Sequence, residues 1–323
     1  MIGQKIYFRV KPLVPLYLRR AVRRRFAWRI RRKAQDVWPI LPGSERQPLD
    51  WPGWPDGKKF ALVLTHDVEG EGGLAQCRQL MELELKWGFR SSFNFIPESG
   101  YSVPKQLRDE LAGNGFEIGV HDLRHDGALY EDRRAFAANA TRINNYLKEW
   151  GAVGFRAGFM FHNLDWLHDL NILYDASTFD TDPFEPQPDG AGTIFPFWKG
   201  GINGSGYTEL PYTLPQDSTL FLLFGETDIS IWQRKLDWIA AHGGMALLNV
   251  HPDYLDFGAE PHHWSKYPVR FYAEFLEYVV RQHADEYWAC TPKELTEWYM
   301  TVVKHAGTTS PAAPDRWHGE RKL

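Results

Sequence analysis

Two carboxylates and a histidine lie at the end of an apolar run, and this stretch is the first candidate for chemistry in the sequence. Residues 61–70 read ALVLTHDVEG, so four apolar residues lead directly into Thr65, His66, Asp67 and Glu69. A short apolar run that ends in polar residues is typical of a buried parallel strand whose carboxyl end opens onto a site. Such strand ends are where α/β folds place their chemistry. An ordinary acidic turn after the strand is the alternative that this stretch alone leaves open.

Two further apolar runs end in histidine. Residues 116–120 lead into His121, and His125 follows four positions later, so a helical turn would place both imidazoles on one face for a shared metal. The run that ends in His251 delivers a natural general acid or base. Surface histidines and a structural strand cap are the alternatives. The repeated placement at strand ends favours metal and proton chemistry.

An arginine ends a fourth apolar stretch. Residues 154–159 read GFRAGF, and the charge of Arg156 at the end of a buried strand requires a carboxylate partner, for which Asp67 is the obvious candidate. A surface arginine is the alternative. An acidic residue together with two histidines leaves metal positions open for water and substrate, which is the layout of a hydrolytic divalent site.

These residues need a scaffold, and the sequence predicts alternating strands and helices. Strands are predicted at residues 61–67, 91–96, 116–121, 154–157, 174–178, 245–251 and 287–290. Helices are predicted at residues 74–86, 105–112, 131–150, 164–171, 230–242, 269–283 and 292–304. This alternation indicates an α/β fold built on a parallel sheet or barrel. Residues 180–214 break the pattern, and a loop of that length is usually functional.

Composition narrows the class of protein. The 323 residues are 43% hydrophobic, enough for one large or two ordinary domains. The two cysteines, Cys77 and Cys290, exclude a disulfide framework and a four-cysteine zinc site, and they suggest a reducing compartment.

We expect a basic arm at 1–35, a Pro/Trp-rich connector at 36–59, a barrel at 60–304 and a disordered tail at 305–323.

The net charge of −4 hides a strong asymmetry. Residues 1–33 contain 12 of the 37 basic residues and no acidic one, which leaves a body with a charge of −16. An acidic body argues against a nucleic-acid partner. The basic segment 13–33 reads as a helix that could lie on an anionic membrane surface. A solvated arm that packs on the acidic body is the alternative.

In order and spacing, the motifs resemble those of the NodB-homology polysaccharide deacetylases, carbohydrate esterase family four, across about residues 60–300. The family motifs T-F-D-D, H-S/T-x-x-H and a leucine run ending in histidine stand here at 65–68, 121–125 and 247–251. The motifs R-x-P-Y and D-x-x-x-W stand in degraded form at 156–159 and 180–184. The resemblance implies a distorted (β/α)7-8 barrel that uses a divalent metal, expected to be Zn²⁺, to remove an acetyl group from a carbohydrate substrate.

The resemblance also implies a role for each candidate residue. The metal ligands would be Glu69, His121 and His125. The residues that transfer or position protons would be Asp67 as the base, His251 as the acid, Arg156 beside Asp67 and Asp180 beside His251.

Three positions depart from the family pattern. Val68 occupies the place of the usual metal carboxylate, so Glu69 would have to substitute, as in a branch with a D-x-E first motif. Gly158 replaces a proline, which is expected to loosen a loop whose backbone N–H, near Gly158 or Phe159, helps to hold the oxyanion. Asp122 replaces the usual serine or threonine.

Two other functions remain open. A barrel of this type could hydrolyse a different non-peptide C–N bond, such as a cyclic amide, or it could be a non-catalytic carbohydrate-binding relative. Residues 1–33 contain neither a secretory signal nor a membrane span, so we expect a cytoplasmic protein, with peripheral contact at the inner membrane through residues 13–33. A lipid-linked or nucleotide-linked precursor of a surface polysaccharide would then be the substrate.

Overall fold

The computed structural model describes residues 16–201, 204–258 and 265–305, and within them strands alternate with helices. The strands are β1 Phe60–Val68, β2 Ser92–Phe95, β3 Glu117–His121, β4 Gly154–Arg156, β5 Tyr174–Asp175, β6 Phe197–Gly200, β7 Gly206–Glu209, β8 Met245–Asn249, β9 Leu255–Asp256, β10 Tyr267–Pro268 and β11 Tyr287–Ala289. The α-helices are α1 Leu16–Lys33, α2 Glu71–Trp87, α3 Lys105–Gly113, α4 Arg133–Trp150, α5 Ser230–His242, α6 Arg270–Gln282 and α7 Pro292–His305.

Strand β1 is the centre of the sheet. All nine of its residues are buried, as expected for a parallel strand covered on both faces. It pairs in parallel with β8 on one edge and with β11 and β2 on the other. The sheet continues in parallel through β3, β4, β5 and β7, and β6 is added antiparallel to β7. The carboxyl ends of the parallel strands therefore meet at one end of the sheet.

The sheet curls back on itself. The backbone N–H groups of Thr213 and Leu214, just beyond β7, donate to the carbonyl oxygen of Leu247 on β8, both at 3.1 Å. These bonds bring the last part of the parallel sheet next to β8, which already pairs with β1. The prediction of an α/β fold with a distorted (β/α)7-8 barrel is confirmed.

Most predicted elements are present with small changes at their ends. The exception is residues 164–171, where a helix was predicted and the structure has only the 3₁₀ turn Trp166–Asp169. Leu167 and Leu170 are both buried, and side chains three positions apart need no more than one such turn. The hairpin β6–β7 and a π-helical segment, Ser218–Phe224, were not predicted because their stretch of sequence has no clear period.

The basic helix α1 packs on the body. Arg24 Nη2 donates to the carbonyl oxygen of Phe224 at 2.9 Å, and Arg31 forms an ion pair with Glu226. The ring of Trp28 meets the ring of Phe224 edge to face at 5.4 Å. The sequence analysis gave two alternatives for the arm, and the helix makes the contacts of the second, an arm that packs on the acidic body.

The connector also lies against the barrel, since Trp54 is buried and its Nε1 donates to the carbonyl oxygen of Gly243 at 2.8 Å. The predicted domain boundaries stay a prediction. The tail expected at 305–323 lies outside the described residues, apart from its first residue. Among the described helices, none is long and apolar enough to cross a membrane.

Candidate active site

The candidate site is assembled from the carboxyl ends of neighbouring strands. Asp67 on β1 is in register with Asn94 on β2, and His121 on β3 is in register with Arg156 on β4. Asn249 ends β8 on the other edge of β1. Because parallel strands present their carboxyl ends at one edge, residues separated by up to 182 positions meet here.

Both carboxylate oxygens of Asp67 accept hydrogen bonds. Its Oδ1 accepts from Asn94 Nδ2 at 2.9 Å, and its Oδ2 accepts from Asn249 Nδ2 at 2.8 Å and from Arg156 Nη1 at 3.4 Å. Burial alone would raise the pKa of this carboxyl group. The charge of the Arg156 guanidinium, the neighbouring imidazoles of His121 and His251 and the hydrogen bond from Asn94 together outweigh burial and hold the pKa well below its usual range. Asp67 is therefore ionised at neutral pH.

The period of the strand explains why Glu69, and not Val68, reaches the site. Side chains alternate across a strand, so Asp67 and Glu69 share one face while Val68 points to the other. Val68 is buried in the hydrophobic core, and its carbonyl oxygen accepts a hydrogen bond from Tyr101. His66 also lies on that opposite face, with Nε2 at 2.7 Å from Glu84 Oε1, so it supports the core.

Two consecutive residues beyond β8 fix Glu69 in place. The hydroxyl of Tyr254 donates to the Glu69 carboxylate, and the Asp253 carboxylate accepts the backbone N–H of Glu69 at 2.8 Å. Asp253 also accepts the N–H of Gly73 at 3.0 Å, and a Cβ at Gly73 would lie 2.0 Å from Asp253 Oδ2. We call Asp253 and Tyr254 the clasp, because together they hold the start of α2 and the carboxylate of Glu69 in place. Sequence reasoning did not assign either clasp residue.

Glu69, His121 and His125 form a set of possible metal ligands. One ligand atom from each lies within 4.8 Å of the others, and His125 Nε2 is 3.3 Å from Glu69 Oε1. His121 Nδ1 is 3.1 Å from the carbonyl oxygen of Arg156, which can only accept, so Nδ1 carries the proton. Nε2 of His121 is then an unprotonated nitrogen, buried and without a hydrogen-bond partner among the described residues. This orphaned nitrogen beside a carboxylate and a second imidazole fits a divalent cation.

The two imidazoles do not come together through the helical turn that the spacing suggested. The chain instead passes through left-handed backbone at Asp122, with φ of 59°, and at His125, with φ of 55°. The two ring centroids end 4.9 Å apart. Burial lowers the pKa of His121, which favours the neutral form that a metal requires.

Two of the departures from the family pattern are linked. The backbone N–H of Gly158 donates to Asp122 Oδ2 at 3.2 Å, a bond that a proline could not make. A Cβ at Gly158 would lie 2.6 Å from Asp122 Oδ2 and 2.8 Å from His125 Cδ2. The expectation that Gly158 loosens this loop is therefore wrong, because the glycine is held and closely approached. Its N–H is also already used, which argues against it as an oxyanion donor.

His251 is held by Asp217. His251 Nδ1 lies 2.7 Å from Asp217 Oδ1, and the His251 backbone N–H donates to Oδ2 at 2.9 Å. Burial would lower the pKa of His251, but the carboxylates of Asp217, Glu69 and Asp67, of which Asp217 contributes most, together outweigh burial and raise the pKa to about 10. His251 is therefore protonated at neutral pH, with Nδ1–H turned to Asp217 and Nε2–H available to the site.

The expectation that Asp180 orients His251 is corrected by the structure. Asp180 forms a buried ion pair with Lys235 of α5. Burial raises the pKa of Asp180 to about 6 even beside this cation. The expectation rested on a degraded motif position, whereas Asp217 is the residue that contacts His251.

Asn249 connects the base to the acid. Its Nδ2 donates to Asp67 Oδ2 at 2.8 Å and to Gln216 Oε1 at 3.2 Å, and it lies 3.5 Å from His251 Nε2. The two hydrogens of the Asn249 amide are taken by Asp67 and Gln216, so His251 Nε2 does not have to accept one and can itself carry a proton. An ionised carboxylate and a protonated imidazole thus lie side by side, next to the ligand set.

Comparison with known proteins adds information on the fold. No protein-family model matches the sequence, and no curated protein matches it. Among solved structures, a candidate polysaccharide deacetylase from Mycobacterium smegmatis is similar, with a TM-score of 0.58 and 20% sequence identity, over 80% of this chain and 96% of its own. The PuuE allantoinase is similar too, with a TM-score of 0.57 and 16% identity, over 78% of this chain and 95% of its own.

At these identities the similarity establishes the fold alone. The chain has the fold of the polysaccharide deacetylases, which is the fold that the motif resemblance implied. The PuuE allantoinase is similar to nearly the same degree. The branch with a D-x-E first motif stays a prediction, which the position of Glu69 motivates.

Proposed function

We propose that this protein is a metal-dependent hydrolase that removes an acetyl group from an N-acetylated sugar of a surface polysaccharide, or of its lipid-linked or nucleotide-linked precursor. One observation carries the proposal: the orphaned Nε2 of His121 lies with Glu69 and His125 next to a carboxylate and an imidazole of opposite charge. A solved structure of the same fold is described as a candidate polysaccharide deacetylase, which supports the substrate class.

Glu69, His121 and His125 would hold the metal. Two neutral imidazoles and one carboxylate suit Zn²⁺ and leave a position open for a substrate or water. A divalent ion bound there would polarise the amide carbonyl and lower the pKa of water from about 15.7 toward 7. The clasp by Tyr254 and Asp253 keeps the Glu69 carboxylate in place before any ion arrives.

Asp67 would be the general base. The cations around it keep it ionised at neutral pH, and its bonds from Asn94 and Asn249 fix the direction of its lone pairs. It would take a proton from the attacking water. Arg156 would compensate the buried negative charge before the transfer, so that the base needs no solvent.

His251 would be the general acid. Asp217 holds the protonated ring by Nδ1, so the proton on Nε2 would pass to the leaving amine as the carbon–nitrogen bond breaks. The opposite pKa shifts of Asp67 and His251 support the assignment of Asp67 as the base and His251 as the acid.

An acetate-release assay tests the proposal. Protein treated with a chelator and reloaded with Zn²⁺ would be offered N-acetylglucosamine oligomers, a UDP-linked N-acetyl sugar and, because of the allantoinase of similar fold, allantoin. We expect acetate from an N-acetyl sugar and a loss of about 10²–10⁴-fold in kcat for Asp67→Asn. His242→Ala is the matched control, since His242 bonds to its own helix at Trp238.

Two results would contradict the proposal. Hydrolysis of allantoin without acetate release from any sugar would favour the alternative of a cyclic amide substrate. Saccharide binding with no hydrolysis in the loaded protein would favour a non-catalytic relative. The cytoplasmic location stays a prediction.

A further inference from the structure

The outer face of α1 carries an apolar ridge. Val22 is 63% exposed and Phe26 is 54% exposed, and residues four apart lie on the same side of a helix. Within the described part of the chain, the exposed large hydrophobic side chains are Val22, Phe26, Trp28 and Leu49. Three of these four belong to one helix, which is a concentration that scattered surface residues do not explain.

The other side of α1 is fixed to the body. Ala27 is buried, Arg24 and Arg31 bond to the segment around Phe224, and the Arg31 guanidinium lies 4.7 Å from the centre of the Phe224 ring. The helix is thus anchored along one face. Because its inner face is held by these contacts, the helix keeps its apolar ridge exposed on the protein surface.

Basic side chains surround the ridge. Helix α1 contains nine arginine and lysine residues and no acidic residue, in a chain whose remaining part is strongly acidic. Arg25 and Arg29 are exposed next to Val22 and Phe26. A helix with aromatic and aliphatic side chains between arginines is suited to lie in the headgroup region of an anionic bilayer, with the apolar side chains inserted and the cations at the phosphates.

We propose that the outer face of α1 docks on the surface of an anionic lipid membrane. Charge complementarity favours anionic lipid, and the apolar ridge favours a bilayer over a nucleic acid, because phosphate contacts alone give no reason for Val22 and Phe26 to be exposed. The helix packs on the segment Ser218–Phe224, which follows directly on Asp217, the partner of His251. Docking would therefore bring the membrane surface close to the candidate site.

Vesicle co-sedimentation of the full chain tests this proposal without reference to catalysis. We expect binding to phosphatidylglycerol vesicles that salt weakens, and little binding to phosphatidylcholine vesicles. The double variants Val22→Ser/Phe26→Ser and Arg25→Glu/Arg29→Glu should each weaken binding by about tenfold or more. Leu49→Ser is the matched control, because Leu49 is 78% exposed but lies off the helix, and it should bind like the wild type.

Each of three results would overturn the proposal. The first is failure of the wild-type chain to bind phosphatidylglycerol vesicles. The second is wild-type binding by the Val22→Ser/Phe26→Ser variant, with its fold checked by circular dichroism. The third is tighter binding to duplex DNA than to vesicles, lost in Arg25→Glu/Arg29→Glu but kept in the serine variant, which would assign the basic face to nucleic acid.

Discussion

Two buried groups of carboxyl side chains in this barrel behave in opposite ways. Asp67 and Glu69 at the end of β1 have lowered pKa values, whereas Asp175 on β5 and Glu209 on β7 have raised ones. Asp67, Asp175 and Glu209 are all almost fully buried, so desolvation pushes each pKa upward. The difference must come from the groups that face them.

The neighbours differ in charge. Asp67 faces Arg156 and two histidines. Asp175 and Glu209 are paired across β5 and β7 and interact directly with each other, and their other donors are neutral groups of Ser177 and Thr178. The attraction of His162 for Asp175 does not outweigh burial, and two adjacent buried carboxyl groups of this kind are most stable when they share a proton. Burial alone therefore does not keep a carboxyl group ionised. Asp67 stays ionised because positively charged groups lie beside it at the strand ends.

The largest expected effect comes from removing His251, which is both a cation near Asp67 and the proposed proton donor. His251→Ala should lower kcat for acetate release by about 10²–10⁴-fold. Asp217→Asn should lower the pKa of His251 and move the alkaline limb of the pH–rate profile to lower pH. Full activity in the alanine variant would separate His251 from the chemistry.

Replacing Arg156 should make the pKa of Asp67 behave like the raised pKa values of Asp175 and Glu209. In Arg156→Met the pKa of Asp67 should rise, and the free energy of unfolding should fall by about 3–5 kcal/mol, because a buried charge loses its partner. Urea titration measures the loss. Adding Asp67→Asn to this variant should recover much of the stability, and a double variant no more stable than Arg156→Met would show that the ion pair is not what matters.

A smaller effect is expected from the hydroxyl that holds Glu69. Tyr254→Phe removes its hydrogen bond to the Glu69 carboxylate and should weaken Zn²⁺ binding by about 10–100-fold, which calorimetry can measure. Tyr278→Phe is the matched control, since the hydroxyl of Tyr278 bonds to exposed Asp237. Equal affinities in the two variants would show that Glu69 needs no support.

The smallest effect concerns the paired carboxyl groups. Their raised pKa means that the folded state holds a proton that the unfolded chain releases above about pH 4.3, so stability should decline as pH rises through the folded pKa. One shared proton accounts for at most about 1.4 kcal/mol per pH unit. Glu209→Gln should flatten this dependence in urea titrations from pH 5 to 8, relative to the wild type and to the exposed control Glu149→Gln. An unchanged slope would argue against a shared proton.

The strand-end residues could be predicted because one simple signal applies to all of them. Asp67, His121 and His251 each follow an apolar run at the point where a buried parallel strand must end. The alternation along β1 also selects Glu69 over Val68. Only the three-dimensional structure shows that the clasp by Asp253 and Tyr254 completes this arrangement, since nothing local in the sequence links residues 184 and 185 positions away to Glu69.

The wrong assignment of Asp180 could have been avoided, because the sequence contains the residue that pairs with it. Lys235 lies on the apolar face of α5 and is fully buried, so it required an acidic partner inside the barrel, and that partner is Asp180. Asp217 had a different signal, an acidic residue three positions before the apolar run 220–224, which is typical of a helix start. The stretch has no clear helical or strand period, so that signal was not used.

The central claim is that Glu69, His121 and His125 share one divalent cation. The most direct measurement is calorimetric titration of chelator-treated protein with Zn²⁺, for the wild type and for Glu69→Ala and His125→Ala. We predict one ion per chain in the wild type and loss of tight binding in both variants, each with an unchanged circular dichroism spectrum. Absence of binding in the wild type, or undiminished binding in both variants, would contradict the claim.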